Sequence, residues 1–257
     1  MKLPCILVLL ALLNSAHAGS TIGLVSPPEA HTEESGWWFR MTPYAWVTAA
    51  SGDITIGNIT TPVDTSFSDT LDSLDIAYMS VFEAGKGDFS AGVDVIYGKS
   101  SQDNSIGGPN VASVLFEQEQ WILTPFVAYR VLDNGGTQLS VFTGARFTSI
   151  ETDLTASLTN NTKASVGKNT SWVDPIIGVR GSISLTDKTF FRFNGDIGGF
   201  GVSSDFTWQA FAGVGYRITE NISAAVGYRG LSVDYQKGNF SMDTVTHGPV
   251  VGLDFHF

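Results

Sequence analysis

Trp172-Val173-Asp174-Pro175-Ile176-Ile177-Gly178-Val179-Arg180-Gly181-Ser182-Ile183-Ser184-Leu185 alternates apolar residues with small or polar ones. On an extended chain Val173, Ile177, Val179, Ile183 and Leu185 share one side. Asp174, Gly178, Arg180, Ser182 and Ser184 share the other. The next such stretch sets Phe191, Phe193 and Ile197 against Arg192, Asn194 and Asp196, and the last sets Val251, Leu253, Phe255 and Phe257 against Gly252, Asp254 and His256.

Working outward, the seven arginines Arg40, Arg130, Arg146, Arg180, Arg192, Arg217 and Arg229 all fall on the polar side of an alternating stretch. The lysines Lys86, Lys99, Lys163, Lys168, Lys188 and Lys237 fall at segment ends or in connections. Charges pointing inward from strands whose other face is apolar describe a barrel with lipid outside and a polar lumen.

Residues 1–18 read as a secretory signal peptide: Lys2, an apolar run from Ile6 to Leu13, then Ala16-His17-Ala18 before Gly19. That run is too short to span a bilayer as a helix. The chain's one cysteine, Cys5, lies in this leader, so no disulfide is available to the exported protein. The formal charge of −11 argues against nucleic acid as a partner. Residues 19–36, with Pro27, Pro28, Glu33 and Glu34, read as a flexible periplasmic lead-in, and residues 37–257 as one outer-membrane β-barrel domain.

Ten strand-like segments follow, at about 37–51, 76–86, 88–99, 119–132, 137–151, 171–185, 189–200, 205–218, 222–235 and 247–257. Tight turns follow the second, fourth, sixth and eighth. Long polar stretches near 52–75, 100–118, 152–170 and 236–246 follow the first, third, fifth and ninth. Short turns on one side and long loops on the other are the outer-membrane pattern, and an even strand number brings both termini to the periplasmic side. The expected fold is all-β, a closed antiparallel up-and-down transmembrane barrel of ten strands. Eight or twelve are the alternatives, because 53–57 and 61–66 are able to form a further hairpin.

Trp121 to Tyr129-Arg130 and Trp208 to Tyr216-Arg217 share one spacing. Eight steps of about 3.3 Å, tilted by roughly 40°, rise about 20 Å, close to the height of a lipid-facing band edged by aromatic girdles. Pro43, Pro125, Pro175 and Pro249 fit such strands poorly, since each removes a ladder donor. Bulges near the outer rim are the expected accommodation for the last three.

Several segments together resemble a largely uncharacterised family of bacterial outer-membrane β-barrel proteins. They are Tyr44-Ala45-Trp46, Val63 to Asp75, Phe82-Glu83-Ala84, Trp172-Val173-Asp174-Pro175, Gly195-Asp196-Ile197-Gly198-Gly199-Phe200, Ser204-Asp205-Phe206-Thr207-Trp208 and Gly227-Tyr228-Arg229. The resemblance covers nearly all of the exported chain, and it implies a single barrel without supplying a catalytic residue. The C-terminus resembles the signal read by the barrel-assembly machinery, with Gly252, Phe255 and the terminal Phe257; Val250 departs from that pattern.

By parity the lumen is lined by Arg40, Tyr44, Trp46, Glu83, Asp94, Arg130, Arg146, Asp174, Arg180, Arg192, Asp196, Arg217, Arg229 and Asp254. Arginine keeps its charge and bridges carboxylates bidentately, so this set predicts an interlocked structural interior. With more arginines than carboxylates, a narrow gated channel for small solutes, favouring anions, is the sharper reading. Arg192 and Asp196, two inward steps apart, are candidate partners.

Phe67, Leu71 and Leu74 are spaced as one face of a short helix, with Ser66 or Ser68 placed to cap it and Asp69, Asp72 and Asp75 on a neighbouring face. This segment is expected to fold over or into the mouth as a plug, its carboxylates meeting lumen arginines. Calcium is disfavoured there because the usual loop spacing and glycine are missing.

No catalytic constellation, metal-ligand spacing, phosphate loop or dinucleotide fingerprint is present, and neither enzyme activity nor a cofactor is expected. His247 alone lies near the outer rim, within reach of Asp234, Asp243 or Ser241. Surface binding or adhesion through the long loops is the alternative function. The expected partners are outer-membrane lipid, the assembly machinery during biogenesis and small solutes.

Overall fold

The computed structural model describes residues 36–56, 59–104, 111–158 and 163–257. The leader and all but the last residue of the lead-in lie outside them. So do His31, Asn58 and the middle of two loops, 105–110 and 159–162.

Among the described residues, twelve strands and one helix follow one another as β1 (Trp37–Trp46), β2 (Ala49–Ile56), β3 (Ile59–Thr65), α1 (Phe67–Ser73), β4 (Leu74–Lys86), β5 (Phe89–Asn104), β6 (Val111–Asp133), β7 (Thr137–Leu158), β8 (Lys163–Ser184), β9 (Thr189–Gly198), β10 (Ser204–Arg217), β11 (Ile222–Lys237) and β12 (Phe240–His256). Ten of these strands make the ring. β1 pairs β4, each later strand pairs the next in antiparallel order, and β12 closes onto β1. Reciprocal backbone bonds between Phe39 and Phe257, at 3.1 and 2.9 Å, fasten the closure beside the two ends of the barrel chain.

β2 and β3 stand apart from the ring. β2 continues upward along β12, Ala49 opposite His247 to Ile56 opposite Phe240, and β3 folds back on β2. The hairpin considered for 53–57 and 61–66 thus forms as β2 and β3, mounted on the rim without adding to the ring.

The strands run well beyond the sequence boundaries. β6, β7 and β8 are 23, 22 and 22 residues long, whereas about 9–11 cross a membrane. Most of the polar stretches read as loops are continuations of strands, and 236–246 is a tight hairpin between β11 and β12. Thr, Ser and Val there suit a pleated strand, while their polarity signals only exposure.

The outward face is apolar through the middle of the barrel. Val127, Val141, Ile177, Val179, Val214, Val226 and Val251 are all exposed. Trp121 and Tyr129 on β6, and Tyr216 on β10, are exposed on this face; Trp208 is half-buried. Tyr97 packs at a tilt against Trp121 at 4.4 Å between ring centroids, and Phe89 against Tyr129 at 4.7 Å, broadening the two aromatic belts across neighbouring strands.

The prolines do not sit at bulges. Register shifts fall between Leu74 and Ile76, Val111 and Ser113, Arg130 and Leu132, and Ser204 and Phe206. Pro125 holds register opposite Val93 and Pro175 opposite Ala145, while the β6–β7 ladder passes from Leu123 to Phe126 without a pair at Pro125. Pro43 has a clearer part: the β1–β4 ladder ends at its pairing with Ser80. A residue without an N–H stands where two strands part company.

Candidate functional site in the barrel lumen

Four levels of side chains fill the interior. At the tight-turn end, Arg130 reaches Asp88 and Asp133, each at 3.1 Å, and the Gly87 carbonyl at 3.0 Å. The Gln138 amide donates to Asp133 at 2.9 Å. Arg217 donates to the Asp187 carbonyl and to Ser184 at 3.2 Å. Two of the seven arginines are therefore held by turn carboxylates and carbonyls that parity on the strands does not reveal. A cavity of about 40 Å³ opens here, between Arg40, Glu83, Asp88, Arg130 and Arg180.

The next level joins seven strands. Glu83 on β4 is gripped by Arg40 on β1 and Arg180 on β8, the second through both guanidinium nitrogens, and Arg180 also donates to Ser90 at 3.1 Å. Asp254 on β12 accepts from Arg192 on β9 at 3.0 Å to each oxygen, from Thr42 at 2.7 Å and from Ser223 at 3.3 Å. The Arg180 guanidinium lies over Phe126, and those of Arg192 and Arg217 over Phe190.

Above it, Arg146 on β7 donates to both oxygens of Asp196 on β9, at 2.7 and 3.0 Å, and to Thr207 at 3.2 Å. Both side chains of this pair are 1% exposed, so the bridge is dry. Arg229 on β11 binds Asp94 at 3.0 Å, Tyr44 at 2.9 Å and the Gln209 side-chain oxygen. The Tyr44 hydroxyl passes its own proton toward Asp94 at 2.7 Å, closing a triangle. The expected Arg192–Asp196 pairing is not made. Four residues along one strand span about 13 Å, and the two side chains instead find partners across the barrel.

The topmost level was not anticipated. Trp46, Ile96, Ile122, Trp172, Leu231, Val233, Tyr235 and Met242 form a buried apolar cluster inside the ring. Arg229 lies 4.9 Å from the Trp46 ring, so the ionic level abuts the apolar one directly. Trp172 stacks on Tyr235 at 4.5 Å, and its Nε1 donates to Asp174 at 3.0 Å. Asp174 also accepts from the Ser204 amide at 2.8 Å and hydroxyl at 2.7 Å, tying β8 to the first residue of β10. The sequence signal for this level was available in β11. Arg229, Leu231, Val233 and Tyr235 continue one inward row, while the outward row changes from Val226 and Tyr228 to Ser232 and Asp234. The polarity of the wall inverts partway up the strand.

The helix expected to plug the mouth does form, as Phe67–Ser73, but no residue of it is buried. Asp69 is spent on its own cap, accepting from the Ser66 amide at 3.0 Å and hydroxyl at 2.7 Å. Those bonds hold the Asp69 carboxyl below the usual carboxylate range. Asp75 accepts from Ser101 at 3.0 Å. The lumen arginines are bonded to the interior and turn groups above, so the plug reading is corrected: the loop carboxylates and those arginines have separate partners. His247 bonds through Nδ1 to the Tyr228 hydroxyl at 2.6 Å rather than to the aspartates or serine considered for it.

Among the described residues no group of three or more His, Cys, Asp or Glu side chains is placed to hold a metal ion. No protein-family model matches the chain, and neither does any curated protein. Solved structures do. The outer membrane protease OmpT from Escherichia coli superposes with a TM-score of 0.61 at 10% identity, covering 90% of this chain and 100% of that one. The chain has the fold of a bacterial outer-membrane β-barrel. The translocator domain of the autotransporter NalP from Neisseria meningitidis is also similar, with a TM-score of 0.44 and 13% identity over 89% of this chain and 90% of that one. At such identities the likeness concerns the fold.

Proposed function

We propose that this protein is an outer-membrane barrel whose lumen is closed at rest, an ionically braced scaffold rather than an open pore. The observation that carries the reading is the succession of a dry ionic level, with Arg146 and Asp196 each 1% exposed, and an apolar level sealed by Trp46, Trp172 and Tyr235. A permeating ion needs a wet path, and a dry ion pair below a buried apolar cluster supports a closed lumen. The arginine surplus that suggested an anion pore is absorbed by Asp88, Asp133 and carbonyls at the turn end.

The placement in the membrane follows from the same wall. The band between the belts is apolar outward, and above it the outward row turns to Asp53, Asp205, Asp234 and Asp243, all exposed. The signal peptide delivers the chain to the periplasm, and the assembly machinery reads Gly252, Phe255 and Phe257. The tight turns then face the periplasm and the tall strands face outward. Planar-bilayer recording of refolded protein tests the reading. We expect a silent membrane; chloride-selective steps from the wild-type protein would sink it.

One observation favours surface binding as a second reading. β6 extends ten residues above Trp121, which is about 25 Å at the usual rise and tilt. The top of β8, on the far side of β7, is exposed on both faces. A wall of that height, with little packed against it, is suited to presenting polar side chains to a partner outside the cell. We propose no catalytic role.

A further inference from the structure

The ring has a seam. Above the Pro43–Ser80 pair, β4 continues for six residues to Leu74 with no strand on its β1 side among the described residues. β2 has departed along β12, and β3 pairs only β2. The helix α1 crosses this seam, joining the foot of β3 to the top of β4.

The apolar side chains of α1, and of its C-cap Leu74, remain partly exposed. Phe67, Leu71 and Leu74 are 37, 47 and 39% exposed, although their spacing is that of one helix face built for burial. Directly below, along the outward row of β4, come Ile76 and Tyr78, both exposed. Tyr78 stands opposite Tyr97, which stands opposite Trp121, so the exposed row that starts at Leu74, the C-cap of α1, leads through Ile76 and Tyr78 to the upper aromatic belt. On the other side of the seam the Phe67 ring meets the edge of His247 at 6.0 Å, and His247 is bonded to the outward Tyr228. A soluble protein would leave this row wet at a cost of about 25 cal/mol for each Å². Where the row adjoins a lipid-facing band, acyl chains are the natural cover.

We propose that α1 is a membrane-surface helix, with Phe67, Leu71 and Leu74 resting among acyl chains at the outer edge of the bilayer and covering the seam, while Asp69 and Asp72 face water. This rests on the reading of the barrel as a membrane protein. It assigns the acidic loop a lipid partner in place of the lumen arginines. The length fits: seven residues make a helix about 10 Å long, enough to bridge a gap two strands wide.

Nitroxide labelling tests it, in a Cys5→Ser background that removes the only native thiol. Single cysteines at Leu71, Asp72, Val127 and Ser157 are labelled in protein refolded into phosphatidylcholine vesicles. Accessibility to oxygen is compared with accessibility to a water-soluble nickel chelate. The label at Leu71 should favour oxygen as that at Val127 does, and the label at Asp72 should favour nickel as that at Ser157 does. If Val127 favours oxygen while Leu71 favours nickel, the helix is solvated and the inference is wrong. Dipolar broadening at Leu71 would also overturn it, by assigning the face to a second copy of the chain. Should Val127 itself favour nickel, the membrane reading fails first, so the two failures are distinguishable.

Discussion

Removing one partner of the Arg146–Asp196 bridge is expected to cost far more than removing both. One guanidinium nitrogen of Arg146 donates to both Asp196 oxygens, at 2.7 and 3.0 Å, the other terminal nitrogen donates to Thr207, and each side chain of the pair is 1% exposed. Asp196→Leu would strand a guanidinium in a dry interior, which costs about 3–5 kcal/mol when a buried pair is broken. Arg146→Met would strand the carboxylate at a similar cost. The double variant Arg146→Met/Asp196→Leu replaces two desolvated ions by apolar side chains of comparable length. Such exchanges leave stability within about 1 kcal/mol of the parent or raise it. Equilibrium unfolding in urea, with the barrel in lipid vesicles and the folding and unfolding curves coincident, reads the difference. With a slope of about 2 kcal/mol/M, a loss of 4 kcal/mol moves the midpoint by about 2 M. Either single variant should show that shift and the double should recover most of it, a coupling well beyond the roughly 0.5–3 kcal/mol usual for neighbours. Single variants costing under about 1 kcal/mol, as exposed pairs do, would mean that water screens the bridge. The closed-lumen reading would lose its main physical support with them.

Further outcomes follow from other levels. Asp174→Ala removes the acceptor of three hydrogen bonds at the β8–β10 corner, and a stability loss of about 2–4 kcal/mol is expected, with the Ser204 amide exchanging faster in hydrogen-exchange NMR. Gly215→Val drives a side chain into the Phe190 ring, which an added Cβ would meet at 2.1 Å, and should lower stability by about 1–3 kcal/mol in the same urea assay. Opening a conducting path should require both upper levels at once. Arg229→Ala alone or Trp46→Ala/Trp172→Ala alone should stay silent in planar bilayers, while the triple variant conducts. Because its cap holds the Asp69 carboxyl below the usual range, the cap's contribution is complete at neutral pH and is lost only as pH falls below the ordinary carboxylate range. The nitroxide at Leu71 should therefore keep its signal through mildly acidic pH, and Asp69→Asn should abolish that acid sensitivity.

How much of this was legible in the residues depended on whether one strand carried the information. Period two, repeated from Trp172 to Leu185 and across nine other segments, was enough for the barrel and its ten-strand ring. Partners were another matter. Glu83 is held by Arg40 and Arg180, 43 and 97 residues away, and that choice is made by ring closure, which no local pattern encodes. Strand ends were misjudged because polar alternation beyond the membrane resembles a loop in composition. The tops of β6, β7 and β8 keep their pairing after losing their apolar outward row. The helix was found correctly from Ser66, Phe67 and Leu71, yet its destination was not. An amphipathic face states that something apolar will cover it, and leaves open whether that is core or lipid.

The inversion of polarity along β11 unites the lumen, the rim and the helix. Below the change, Val226 and Tyr228 face outward while Arg229 faces in; above it, Ser232 and Asp234 face outward while Leu231, Val233 and Tyr235 face in. A barrel that ended at the membrane surface would have no use for an apolar interior, and one that stood wholly in water would have no use for an apolar belt. Having both requires a boundary between two solvents across the wall, at the level where Arg229 meets Trp46. The seam beside Pro43 opens near that boundary, and the same level carries the exposed face of α1. At this height an unpaired strand edge cannot rely on water from below, so covering it with a helix that is apolar toward lipid and acidic toward water meets both solvents at once.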